Sequence, residues 1–246
     1  MSKKVDVLGI EFEHTTKTEI IHTLEKRIRD NKKTFLVTAN PEIVMYAQRD
    51  PQYKKIVQSA NYIIPDGIGI IMGAKLLKNQ LPERIPGFDL MKDLLTIANK
   101  EQLRVFFLGA REDVLNKAID NVKRDYPGIQ IAGCHHGFFN EEDPEVATMV
   151  QESNPDIVFV ALGFPRQERW ISNNAHLFQQ GVFMGVGGSF DVLSGTVKRA
   201  PALWRKLNIE WLYRLIKQPQ RWKRMTFLPI FMLKVIFTRK QDSKSS

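Results

Sequence analysis

Cysteine is almost absent from this 246-residue chain: Cys134 stands alone. No intramolecular disulfide can form, and a reducing compartment is the natural setting. Also missing is an unbroken apolar run of the roughly 20 residues that cross a bilayer. The nearest candidate, residues 227–237, is interrupted by Pro229 and Lys234. Residues 1–9 carry two lysines and then an acid inside a short apolar stretch, without the apolar core of a signal peptide, so the protein is expected to stay in the cytoplasm. There is no G-x-x-x-x-G-K-[ST] loop and no G-x-G-x-x-G after the first apolar segment, which removes the usual support for kinases and dinucleotide enzymes. No D-x-D pair is present to hold a cation against a nucleotide diphosphate, and the adjacent His135 and His136 beside Cys134 do not make a zinc spacing. Neither a metal nor a cofactor is expected. A diphosphate bound here has to be neutralised by Arg or Lys side chains, backbone N–H groups and helix N-termini.

Acidic residues are scarce in one place. Residues 197–246 hold thirteen Lys or Arg against Glu210 and Asp242, a balance of +11, whereas the first 196 residues carry −2. The same segment contains Trp204, Trp211 and Trp222, three of the four tryptophans. A near-neutral body with a basic, aromatic tail points to an anionic partner: a membrane, a nucleic acid or a phosphorylated substrate. Interleaved apolar residues suit a lipid interface better than a phosphate backbone. An anionic membrane surface is therefore the expected partner, with peripheral attachment to the inner face of the cell membrane, and nucleic acid is not. The competing reading is a terminal helix that packs its apolar side on the body. A second copy of the chain, as a homo-oligomer, could also cover that surface.

Through residue 196, short apolar segments alternate with helical periodicities. The strand segments are 5–10, 34–38, 62–64, 104–108, 130–133, 157–162 and 182–186; the helical ones are 17–29, 42–48, 67–77, 89–99, 112–125 and 166–177. Such alternation predicts an α/β fold: a mainly parallel, Rossmann-like sheet with helices on both faces as a catalytic domain over residues 1–196, and a helical basic appendage over 197–246. Ligands of such sheets bind beyond the carboxyl ends of the strands. Several strands run straight into candidate binding loops there, beginning at Thr38, Pro65, Leu108, Leu162 and Gly185.

Asp66, in Pro65-Asp66-Gly67, can accept a proton from an attacking hydroxyl, or it can cap the following helix as a turn residue. Thr38 and Asn40 can hold sugar hydroxyls or an acetamido group, or cap the helix opened by Pro41. Arg84, in a proline-bracketed loop, can reach a phosphate or pair with Glu83 or Asp89. Gly109, Gly187 and Gly188 let backbone approach a ligand, or simply turn the chain. Asp191 can accept from a ribose or a base N–H, and Gln167 can face the pocket or solvent.

The blocks Thr38-Ala39-Asn40-Pro41-Glu42, Pro65-Asp66-Gly67-Ile68-Gly69, Glu83-Arg84-Ile85-Pro86-Gly87-Phe88-Asp89, Ala161 through Glu168 and Gly185 through Asp191 resemble, in the same order, the signature blocks of the TagA/WecG/CpsF glycosyltransferase family. The tail from Glu210 to Arg224 resembles that family's C-terminal appendage, so the likeness covers nearly the whole chain. Ala39 and Phe164 depart from it within their blocks. The likeness is greatest to the teichoic-acid branch. It implies a UDP-sugar donor and a polyprenyl-diphosphate-linked acceptor: N-acetylmannosamine would pass from UDP to N-acetylglucosamine on undecaprenyl diphosphate, with inversion and without a metal. It further implies that Asp66 is the base, that Thr38, Asn40, Arg84 and Gln167 line the pocket, and that Arg214, Arg221 and Arg224 close over it. Relatives using N-acetylmannosaminuronic acid or glucose leave another UDP-sugar as the alternative; a basic nucleic-acid-binding protein and a nucleotide-dependent oxidoreductase are the rivals from other classes.

Overall fold

A computed structural model describes residues 3–207, 209–217, 222 and 226–242, with backbone alone at 206, 214 and 240–242. Six strands form one parallel sheet: β3 (Thr34–Ala39), β4 (Tyr62–Pro65), β5 (Arg104–Gly109), β6 (Gln130–His135), β7 (Ile157–Ala161) and β8 (Val182–Gly185), in the order β4-β3-β8-β7-β5-β6. The central strands are almost wholly apolar, as burial on both faces requires. Their side chains divide by alternation. Phe35, Val37, Phe106, Leu108, Val158, Val160 and Phe183 enter one core, while Leu36, Val105, Phe107, Ile157, Phe159, Val182 and Met184 enter the other.

Helices α1 (Lys17–Arg29), α5 (Gly87–Glu101), α6 (Glu112–Asp125) and α9 (Ser189–Leu193) cover the second core, and α2 (Pro41–Ala47), α3 (Pro51–Gln58), α4 (Ile68–Leu76), α7 (Pro144–Glu152) and α8 (Arg166–Asn174) cover the first. The bounds of α1 follow from local chemistry. Thr16 and Glu19 form a reciprocal capping box at its start, and Lys26, Arg27 and Arg29 meet the negative end of its dipole.

The structure corrects two parts of the sequence reading. Residues 5–10 are not one strand but part of a hairpin, β1 (Lys4–Val7) and β2 (Ile10–Glu13). Leu8 and Gly9 both take positive φ, 53° and 74°, and Asp6 Oδ1 accepts the Gly9 N–H at 3.0 Å. Two successive left-handed residues reverse the chain, as in primed hairpin turns. In addition, α3 and α7 were not anticipated. Each opens on Asp-Pro, with Asp50 and Asp143 as the N-caps.

Beyond Arg199 the chain forms α10 (Ala202–Lys206), α11 (Glu210–Lys217) and a last helix, Phe227–Asp242. That last helix lies against α2 and α4. Phe231 and Val235 are fully buried in the first core, while Ile230, Leu233, Ile236 and Phe237 point outward. Glycines on α4 make the contact possible: a Cβ at Gly73 would come within 2.8 Å of the Phe231 ring, and one at Gly69 within 2.6 Å of Leu228 Cδ1. Packing on the body therefore accounts for one face of this helix only. Among the described residues no helix is long and apolar enough to cross a membrane.

Phe231→Ala should weaken the docking of the last helix by about 3–5 kcal/mol, the usual cost of emptying a buried phenylalanine site. Hydrogen exchange should then quicken across residues 227–242 and stay unchanged in β3; uniform protection in the variant would contradict this packing.

Candidate active site

The carboxyl ends of β3 and β4 build the site. Their parallel register pairs Thr38 with Ile64 and Ala39 with Pro65, and the Asp66 N–H continues the ladder to the Ala39 carbonyl at 2.9 Å. Asp66 thus lies level with the end of β3, beside Asn40. Gly67 then turns the chain into α4 at φ 122°, a backbone conformation that suits glycine. The N-cap position of α4 is Gly67, not Asp66, and it supplies no side-chain cap.

Two cavities open at this edge. The larger, about 230 Å³, is lined by Asn40, Asp66, Arg84, Phe88, Arg199 and Trp211 among others. The smaller, about 80 Å³, is lined by Thr38, Asp66, Phe88, Gly188, Ser189 and Val192 with Gly87 and Val186. Asp66, Gly87 and Phe88 belong to both, so Asp66 stands at the partition. Asn40 follows its capping reading, its Oδ1 accepting the Ile43 N–H at 3.0 Å, and it also lines the larger cavity. Gly87 brings the start of α5 against Thr38, where a Cβ would meet Thr38 Oγ1 at 3.0 Å.

Other residues singled out in the sequence lie behind the cavities. Gln167 is buried, donates from Nε2 to Glu168 Oε1 at 2.6 Å and accepts the Gly187 N–H on Oε1 at 3.0 Å. It braces the loop after β8 from below and lines neither cavity. Gly109 likewise lies outside both; a Cβ there would meet the Ala161 backbone at 2.5 Å, so it serves the close approach of β5 and β7. Gly187 takes φ 50°, and the Asp191 carbonyl accepts from the Val197 N–H at 2.9 Å; neither residue lines a cavity. The side chain of Arg214, and Arg221 and Arg224 as a whole, lie outside the described residues.

Sequence reasoning missed Phe88, Arg199, Glu210 and Trp211, all on the wall of the larger cavity. Arg199 carries no local signal, because its partner Asp89 is 110 positions away. Burial works to raise the Asp89 pKa, but hydrogen bonds and charge from Arg199 outweigh it and hold the carboxyl below its usual range. Beneath the Gly187 loop, burial pushes the Glu168 carboxyl up to about 7, against the hydrogen bond from Gln167. Burial, and then the neighbouring Glu168, raise the Tyr53 hydroxyl in turn. Phe164 packs on Tyr53 and its neighbour Tyr46, edge to face at 5.4 and 4.9 Å. Among the described residues no group of three or more His, Cys, Asp and Glu could hold a metal ion.

Residues 5–245 match the Glycosyl transferase WecG/TagA/CpsF family. Among similar curated proteins is the N-acetylglucosaminyldiphosphoundecaprenol N-acetyl-beta-D-mannosaminyltransferase of Bacillus spizizenii, 44% identical over 236 residues, 96% of this chain and 91% of that protein. The Bacillus subtilis protein of the same name is 44% identical over 229 residues, covering 93% and 89% of the two chains. That of Staphylococcus aureus is 41% identical over 245 residues, covering 98% and 96%.

The raised Glu168 pKa has a consequence for stability. From 4.5, its ordinary value, up to about 7 the folded state holds a proton that the unfolded chain has lost, so stability falls as pH rises through that window. Glu168→Gln removes the titration. Its melting temperature should change less than that of the wild type between pH 5 and pH 8; equal slopes would rule out Glu168 as the group responsible.

Proposed function

The chain belongs to the WecG/TagA/CpsF glycosyltransferase family and is a glycosyltransferase; from that membership we propose that it transfers N-acetylmannosamine from UDP-N-acetylmannosamine to N-acetylglucosamine on undecaprenyl diphosphate, the step that starts a wall teichoic acid linkage unit. The names of the Bacillus and Staphylococcus relatives support this donor sugar and acceptor. The observation that carries the mechanism is Asp66 at the partition between two cavities, one on the tail side and one at the Gly188–Ser189 loop.

The acceptor hydroxyl attacks the anomeric carbon from the face opposite UDP while Asp66 takes its proton. A carbon–oxygen bond forms to the acceptor, the bond to the UDP oxygen breaks, and the electron pair leaves with the diphosphate. One displacement with one base inverts the anomeric centre and needs no metal ion. Arg84 at the larger cavity and the Gly188 backbone at the smaller one are suited to the leaving charge, with Arg214, Arg221 and Arg224 of the tail completing the neutralisation. Thr38 and Asn40 hold the sugar.

The tail, in this reading, also brings the enzyme to its lipid substrate. Leu203, Leu207, Ile216, Trp222, Leu233 and Phe237 are all more than half exposed on a basic segment. Such a surface can lie in the headgroup region without crossing the bilayer.

UDP release from UDP-N-acetylmannosamine should depend on an N-acetylglucosamine-diphosphate-lipid acceptor and survive EDTA. Asp66→Asn should lower it by about 10²–10⁴, the range for losing a positioned general base. A folded Asp66→Asn protein with undiminished release would contradict the assigned base, and loss of wild-type release in EDTA would contradict the metal-free route.

A further inference from the structure

Arg199 stands where the chain turns from the body into the tail. Its guanidinium meets the Asp89 carboxylate as a fork, with NH1 2.7 Å from Oδ1 and NH2 donating to Oδ2 at 2.8 Å. The guanidinium carbon also lies 4.8 Å from the centre of the Phe88 ring. The side chain is only 18% exposed, far less than a surface arginine would be. Asp89 belongs to the first turn of α5, and its neighbour Phe88 lines both cavities. Arg199 also feels the charges of Glu210 and Asp66. Glu210 is the buried first residue of α11 and, with Trp211, forms part of the cavity wall. One guanidinium therefore grips the start of α5 and stands on the cavity wall that Glu210 and Trp211 of α11 share with Asp66.

We propose that Arg199, clamped by Asp89 and Phe88, is a positioning residue of the transfer reaction: it fixes the α11 wall, Glu210 and Trp211, opposite Asp66. The inference rests on the transferase reading given above. Arginine suits the task because its planar fork takes both carboxylate oxygens while its face stacks on a ring, and lysine can do neither. Since the pair is partly buried, removing either partner leaves the other charged and poorly solvated, so the wall that Arg199 shares with α11 loses a fixed point. An ion pair that only stabilised the fold would leave turnover normal in whatever protein remained folded. The clamp instead ties turnover to the pairing.

The test is a double-mutant cycle in the full chain: Asp89→Asn, Arg199→Gln and both together. It is read by kcat and donor KM from UDP release, by hydrogen exchange across residues 210–217, and by flotation with phosphatidylglycerol vesicles. Each single change should lower kcat/KM by about 10–100-fold and quicken exchange in α11, while vesicle binding stays as in the wild type. The double variant should be no worse than the poorer single, because both changes remove one interaction. Arg199→Lys should recover less than about a tenth of the activity, since a point charge does not replace the fork. Losses that multiply in the double variant would overturn the proposal, as would singles within about threefold of wild type or a lower melting temperature with normal kcat. If the wild type released no UDP while the singles still quickened exchange in α11, the transferase reading would fail and the clamp would stand. Unchanged exchange would sink the clamp itself.

Discussion

The parallel pairing of β3 with β4 is the constraint on which the site depends. Ala39 opposite Pro65, followed by the bond from the Asp66 N–H to the Ala39 carbonyl, puts Thr38, Asn40 and Asp66 on one short edge. A slip of one residue would send Val37 where Thr38 now faces the smaller cavity and would put side chains of the wrong core on each face. The two apolar cores make that slip expensive, so the fold's largest energy term also sets the site's geometry. The glycines then complete the edge. Gly67 releases the chain from β4 at once, and Gly87 lets the start of α5 close on Thr38.

The tail is built onto the same edge. The last helix docks on α4, which begins directly after Asp66 and Gly67, and Arg199 grips the first turn of α5, whose Phe88 reaches both cavities. Anything that shifts the outer helices, including contact with a lipid surface, therefore acts on α4, which starts two residues after the proposed base, and on α5, whose Phe88 shares both cavities with it. On the other side, the loop after β8 is held from within by Gln167, whose amide connects the Gly187 N–H to the buried Glu168. A neutral carboxyl there costs less than a charged one in an apolar setting, which fits its raised pKa.

Much of this was legible in the sequence, for physical reasons that differ by element. Strands β3, β5, β7 and β8 announce themselves because a parallel sheet buried on both faces needs unbroken apolar runs. Helix α1 agrees with its sequence bounds because a capping box and a basic last turn specify it locally, and α6 because acidic residues fill its first turn and basic ones its last. The hairpin was misread because Val7, Leu8 and Ile10 look continuous, while the reversal depends on backbone angles at Leu8 and Gly9. The caps of α3 and α7 were present as Asp-Pro and were passed over. Asp66, Asn40 and Thr38, which line the cavities, could be singled out because each lies at or just past a strand end, and Arg84 because prolines bracket its loop. Arg199 could not, since its meaning comes from Asp89, far off in the chain. Gln167 shows the opposite case: a polar residue at a loop looks like pocket lining, yet tertiary packing turns it toward Gly187 and Glu168.

The central claim is a single displacement assisted by Asp66, and the stereochemistry of the product tests it most directly. Transfer from an α-linked UDP-sugar labelled with ¹³C at the anomeric carbon, followed by measurement of the one-bond carbon–proton coupling in the lipid-linked disaccharide, reads the new configuration. The account expects a β linkage as the sole initial product. An α linkage would mean two displacements or a front-side mechanism, and Asp66 would lose the role given to it here.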